Sequence, residues 1–213
     1  MVSYNMEIIN EIERIGKNRN LVKLSQMFAG DSSRKQRVAI YVDYPNLYGG
    51  ARDNNGYPNM KLIRQIGDCL GDLVVCKFYT LDHNYENERN YILGMERMGY
   101  EIVTRHTTPN SMGERKDIDC LLITDFLKDL YTLNLDIMMI VSDDSDYAQP
   151  IREAKRLNKT CVALVSCYSK ARIIADTATV YLTEKYVPEK NKANYSDENN
   201  FNDSADGGEL IEN

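Results

Sequence analysis

Val38-Ala39-Ile40-Tyr41-Val42-Asp43-Tyr44-Pro45-Asn46 is the stretch from which the fold can be read. An unbroken apolar run suits a strand buried on both faces, as in a parallel sheet. Asp43 ends the run, and Pro45, which has no N–H, keeps it from continuing. Working outward, similar runs predict strands at Val38–Asp43, Leu73–Tyr79, Glu101–Thr104, Ile137–Ser142, Cys161–Val165 and Thr179–Leu182. Helical periodicity fills the gaps at Met60–Leu70, Tyr85–Met98, Asp117–Tyr131, Tyr147–Leu157 and Lys170–Asp176. This alternation predicts an open α/β sandwich with a mostly parallel sheet. Right-handed crossovers would then collect the strand C-termini on one edge, where ligands bind in such folds.

The flanks differ in composition. Residues 1–36 carry a helical pattern (Met6, Ile8, Ile9, Ile12, Ile15), then a short apolar set that ends at Gly30. Residues 37–187 form the expected domain. Residues 188–213 are rich in Asn and acid, and too polar to offset the entropy of ordering, so disorder is expected there. The formal net charge is −6, from 26 basic and 32 acidic residues, which at face value argues against a nucleic-acid partner. Seven acids and two bases fall in 188–213, however, so that segment carries −5 and the rest only −1. The five cysteines (Cys69, Cys76, Cys120, Cys161, Cys167) show no CxxC and read as reduced core residues of a cytoplasmic protein. No apolar stretch is long enough to span a bilayer, and the charged N-terminus is unlike a signal peptide.

Acids gather at the predicted strand ends. Asp43 closes the first strand. Asp117 and Asp119 open a helix that continues to Asp125. Ser142-Asp143-Asp144-Ser145-Asp146-Tyr147 follows the fourth strand. Asp is a favoured cap and turn residue, so each acid alone has an ordinary explanation. The third segment strains that explanation. Pro150 must lie in the first helical turn, which puts the cap near Asp146, with Gln149 completing a capping box. One cap accounts for one acid, whereas Asp143, Asp144 and Asp146 repel each other unless a cation offsets them. If strands one and four are neighbours, Asp43 faces Asp144 and Asp146, and Asp119 approaches from the next element. Such hard carboxylate oxygens suit Mg²⁺ or Mn²⁺, not zinc. Asp125 lies about 120° around the helix from Asp119 and is expected in a supporting or structural role.

At these residues the sequence resembles the NYN domain family of PIN-like nucleases. The family's Asp-x-x-Asn is Asp43-Tyr44-Pro45-Asn46 here. Its Lys-x-x-Asp, with a second Asp six residues on, is Lys116-Asp117-Ile118-Asp119 and Asp125. Its Ser-Gly-Asp-Ser-Asp-Phe is Ser142-Asp143-Asp144-Ser145-Asp146-Tyr147. The resemblance covers roughly residues 37–185. It implies a PIN-like three-layer α/β/α sandwich and a metal-dependent ribonuclease site built from Asp43, Asp119, Asp144 and Asp146, with Asn46 orienting the first acid or contacting substrate. Asp143 stands where the family has Gly. That residue is among the few that tolerate φ > 0, and its carboxylate is a further candidate ligand. The family also implies regulators without nuclease activity.

RNA requires positive charge near the acids. Arg105, His106, Arg115 and Lys116 lie in the loop leading to Asp119, and Gly49, Gly50 and Arg52 follow the first motif. Tyr44, Tyr48 and Tyr147 are candidates for stacking on bases. With only His83 and His106, a two-histidine ribonuclease is excluded as a leading reading. No P-loop, GxGxxG or nucleophile elbow is present. The expectation is a Mg²⁺- or Mn²⁺-dependent endoribonuclease. The competing readings are an inactive RNA- or protein-binding module and a deoxyribonuclease or structure-specific nuclease. The N-terminal helices are expected to dock on the domain, self-associate or bind a partner protein.

Overall fold

The computed structural model describes residues 34–53, 58–82, 88–105 and 118–164. In chain order these form β1 (Arg37–Asp43), α1 (Tyr44–Asp53), α2 (Met60–Leu70), β2 (Asp72–Leu81), α3 (Arg89–Arg97), β3 (Glu101–Arg105), α4 (Asp119–Thr132), β4 (Ile137–Val141), a 3₁₀ turn (Ser145–Tyr147), α5 (Ala148–Arg156) and β5 (Thr160–Leu164). The five strands make one sheet in the order β3-β2-β1-β4-β5, with every neighbouring pair parallel. The fold is thus α/β, as expected.

Three layers follow from the strand pleat. Ile40, Val42 and Phe78 face α1, α2 and α3, and pack on Leu47, Ile63, Ile66 and Ile92. Tyr41, Tyr79, Met138 and Ile140 face α4 and α5, and pack on Leu122, Phe126 and Ile151. β4 is buried along its whole length, and β1 at every residue but its first, which is why both read as unbroken apolar runs. The chain covers one face through α1–α3 and the other through α4 and α5. The direction of winding reverses between β1 and β4, and that crevice is the topological switch point.

Local chemistry fixes the elements. The Asn59 side chain accepts the Leu62 N–H (3.0 Å) and caps α2. Gly67 lets α2 lie close on β1, since a Cβ there would sit 2.5 Å from Ile40 Cδ1. β2 carries one extra residue opposite the Val38–Ala39 step, and the bulged Val74 is 38% exposed. On the far face, Tyr41 Oη donates to Asp129 Oδ2 (3.0 Å) and Tyr79 Oη to Asp125 Oδ2 (2.9 Å). Lys77 Nζ lies 3.0 Å from Asp125 and 3.6 Å from Asp129. These contacts clamp α4 onto β1 and β2. They place Asp125 against β2 in a structural role, away from Asp119.

Three expectations need correction. Helix α1 was not anticipated: Pro45 stops the strand, but it also sits in the first turn of a helix, where no N–H is needed. The cap after β4 is Asp144, not Asp146, because Asp144 Oδ1 accepts the Asp146 N–H (2.9 Å). Tyr147, with no side-chain cap bond, precedes α5. Finally, Cys120 is exposed on α4 rather than buried, while Cys76 and Cys161 are core residues and Cys69 is half-buried. The expected strand Thr179–Leu182, helix Lys170–Asp176, N-terminal helices, acidic tail and Cys167 lie outside the described residues.

Candidate active site

The C-terminal edge of the sheet brings together the end of β1, the turn after β4 and the start of α4. Asp43 is the last residue of β1 and is only 2% exposed. Its Oδ1 accepts the Asn46 N–H (3.3 Å). Its Oδ2 accepts from Ser142 Oγ (2.9 Å) and lies 3.0 Å from Tyr147 Oη. Burial pushes this carboxyl up to about 6 from an ordinary 3.8. The bonds from Ser142, Asn46 and Tyr147 resist that rise, and the nearby Asp144 charge adds to it.

The turn after β4 is ordered by the same groups. Ser142 Oγ accepts the Asp144 N–H (3.1 Å) while donating to Asp43. Asn46 Oδ1 accepts the Asp143 N–H (2.9 Å), so Asn46 joins the β1 and β4 turns. Tyr147 Oη donates to Asp119 Oδ1 (2.7 Å) as well as approaching Asp43. Burial, then the charges of Asp43 and Asp119, hold this phenol far above its ordinary range, so it keeps its proton.

Asp119, Asp144 and Asp146 each present a carboxylate oxygen within 4.8 Å of the other two. Asp43, Pro45, Asn46, Leu81, Ile118, Asp119 and Asp144 line a cleft of about 200 Å³ beside them. Ligands on an octahedral Mg²⁺ lie about 2.1 Å from it, so they stand about 3 Å apart when adjacent and about 4.2 Å when opposite. The three oxygens therefore need only small side-chain rotations to share one ion. With hard oxygen donors and neither His nor Cys in the group, the residues fit Mg²⁺ or Mn²⁺.

The expected site residues divide as follows. Asp119, Asp144 and Asp146 come together. Asp43 lines the same cleft but stands outside the close group, its oxygens engaged by protein donors. Asp143 also stands outside that group. Its φ is not positive, since Asn158 alone among the described non-glycine residues has that geometry, so the backbone here does not require glycine. Tyr147 was expected to contact substrate, but it is 0% exposed and its ring is locked in the core. Tyr44 is equally unavailable for stacking: it is 2% exposed, packs on Phe78 (4.6 Å between centroids) and donates to Glu88. Arg105 ends β3 in register with Leu81 of the cleft, at the same sheet edge. Arg115 and Lys116 lie outside the described residues, as do His106 and the side chain of Arg52.

Sequence reasoning missed the parts played by Ser142 and the Tyr147 hydroxyl. The available signal was two hydroxyl residues flanking an acid run directly after a buried strand.

No curated protein matches the chain. The crystal structure of a protein of unknown function from Vibrio parahaemolyticus shares its fold, with a TM-score of 0.67 and 19% identity over 74% of this chain and 99% of that one. The family model described as NYN domain matches residues 37–185, which take in β1 to β5 and every acid of the cleft. With that span matched and the acids of β1, α4 and the β4 turn meeting at one switch point, the chain belongs to the NYN domain family.

Proposed function

We propose that this protein is a metal-dependent ribonuclease that cuts RNA internally at the cleft between β1 and β4. The observation that carries the reading is the convergence of Asp119, Asp144 and Asp146 beside the buried Asp43. Mg²⁺ or Mn²⁺ held by these acids would activate a water and stabilise charge on the phosphoryl group during in-line displacement. The chain's own residues do the rest. Asp119, Asp144 and Asp146 hold the cation. Ser142 and Asn46 fix the turn that carries two of those acids. Asp43 adds negative charge behind them. Arg105, with Arg115 and Lys116, which come just before α4 in sequence, supplies positive charge for the RNA backbone. The free thiols among the described residues favour a reducing compartment, and we assign the protein to the cytoplasm. None of the described helices is long and apolar enough to cross a membrane.

The test is cleavage of end-labelled RNA, single-stranded and hairpin, with Mg²⁺ or Mn²⁺. Asp119→Asn and Asp146→Asn should each slow cleavage at least about a hundredfold, as loss of a direct metal ligand does. EDTA should stop it. Cleavage that persists through both substitutions, or in EDTA, would remove the mechanism, and faster cutting of matched DNA would make the enzyme a deoxyribonuclease. An inactive binding module remains the second reading, because Asp143 places a further carboxylate beside the group. It predicts RNA or protein binding, through residues 1–36 or the domain, with no turnover.

A further inference from the structure

The Tyr147 hydroxyl touches two carboxylates at once, 2.7 Å from Asp119 Oδ1 and 3.0 Å from Asp43 Oδ2. A phenol has one proton, and these two carboxylates share it, the nearer one more strongly. The ring cannot swing away, because it is fully buried in the core beneath α4 and α5. It springs from the 3₁₀ turn that also carries Asp146 and is capped by Asp144. The hydroxyl thus joins the end of β1, the start of α4 and the turn after β4. Asp43, meanwhile, has Oδ1 taken by the Asn46 N–H and Oδ2 by two hydroxyls. Asp119, Asp144 and Asp146 present oxygens to one another. The pattern this segment resembles ends in Phe, which has the ring without the hydroxyl.

We propose that Tyr147 is a positioning residue for the cation site: its hydroxyl aims the Asp119 carboxylate at Asp144 and Asp146 and ties it to Asp43, which stays outside the inner set of ligands. This rests on the metal-dependent reading of the cleft. The hydroxyl engages one lone pair of Asp119 Oδ1 and restricts the side chain's rotation, so the three ligand oxygens are arranged before a cation arrives.

Mn²⁺ binding to the full chain tests this, followed by calorimetry and by loss of the free-ion EPR signal, for wild type, Tyr147→Phe, Asp43→Asn and Asp119→Asn. Wild type should bind one ion per chain. Tyr147→Phe should bind about tenfold more weakly, the effect of losing a group that orients a ligand. Asp119→Asn should lose at least about a hundredfold, and Asp43→Asn clearly less. Affinity in Tyr147→Phe within twofold of wild type overturns the proposal, even if its metal-free melting temperature falls. So does a loss in Asp43→Asn that equals the loss in Asp119→Asn. Should Tyr147→Phe fail to fold, 3-fluorotyrosine placed at position 147 keeps the hydroxyl and gives a second readout. Its ¹⁹F resonance should move on Mg²⁺ addition, and an unmoved resonance overturns the role. RNA cleavage decides the parent reading separately. A chain that binds Mn²⁺ in this pattern but cuts no RNA keeps the positioning role and loses the nuclease, whereas one that binds no Mn²⁺ loses both.

Discussion

At the scale of single residues, Asp43 shows how the fold sets the chemistry of its own edge. The carboxylate at the end of this central strand is almost wholly removed from water, and three donors do not fully compensate. Its folded-state value of about 6 lies above the unfolded 3.8, so between those values the folded chain binds the proton more tightly. Stability from this group is therefore lost as pH rises through that window, and the penalty is complete above about 6. Asp43→Asn removes the ionisation and can keep the Asn46 and Ser142 contacts. Its stability relative to wild type should climb between pH 4 and 7, by up to about 3 kcal/mol. Urea midpoints of both proteins in metal-free buffer across that range give the answer, and a difference that does not change with pH would refute it. Asp43 was visible in the sequence as the acid closing an apolar run. Its partners were not, because residue order does not say that the hydroxyls of Ser142 and Tyr147 point to the same oxygen.

At the scale of elements, α4 matters most, because Asp119 is its first residue and the rest of the helix must hold it in place. The hold is partly ionic: Lys77 on β2 sits between Asp125 and Asp129, with its side chain only 14% exposed. Replacing Lys77 with Met leaves two enclosed carboxylates without their cation, each retaining one tyrosine donor. Breaking such a pair from one side costs about 3 kcal/mol, and adding Asp125→Asn should recover a good part of it. Denaturant melts of wild type, Lys77→Met and the double variant test this, and additive losses would sink the idea. β1, β4 and β5 were legible because burial on both faces leaves short apolar runs rich in β-branched residues, bounded by turn signals. Helix α1 was hidden. Gly49 and Gly50 lower its intrinsic propensity, and it stands on the packing of Tyr44, Leu47 and Ala51 under the sheet edge, which is tertiary information. The cap after β4 differs from the sequence expectation for a similar reason. Pro150 bounds where a helix begins, but it does not reveal a 3₁₀ turn placed before it.

At the scale of the whole molecule, the strand order leaves β1 and β4 as neighbours where the winding reverses, which is the adjacency the reading of the acids required. The balance of charge is set apart from that architecture. Of the formal −6, −5 belongs to residues 188–213, the same sign of charge as the RNA proposed as substrate. Repulsion between charges of one sign is screened over about 10 Å at 0.1 M salt and about 3 Å at 1 M. Removing residues 188–213 should therefore tighten RNA binding a few-fold at low ionic strength, and by progressively less as salt rises. Replacing the seven acids of this segment with their amides should do the same without shortening the chain. Fluorescence anisotropy with a labelled RNA, in Ca²⁺ to limit cleavage and across a salt series, separates this from direct contact. A gain that survives at high salt would mean that the segment blocks the cleft by occupying it. No gain at low salt would mean that its charge lies too far from the RNA path to be felt.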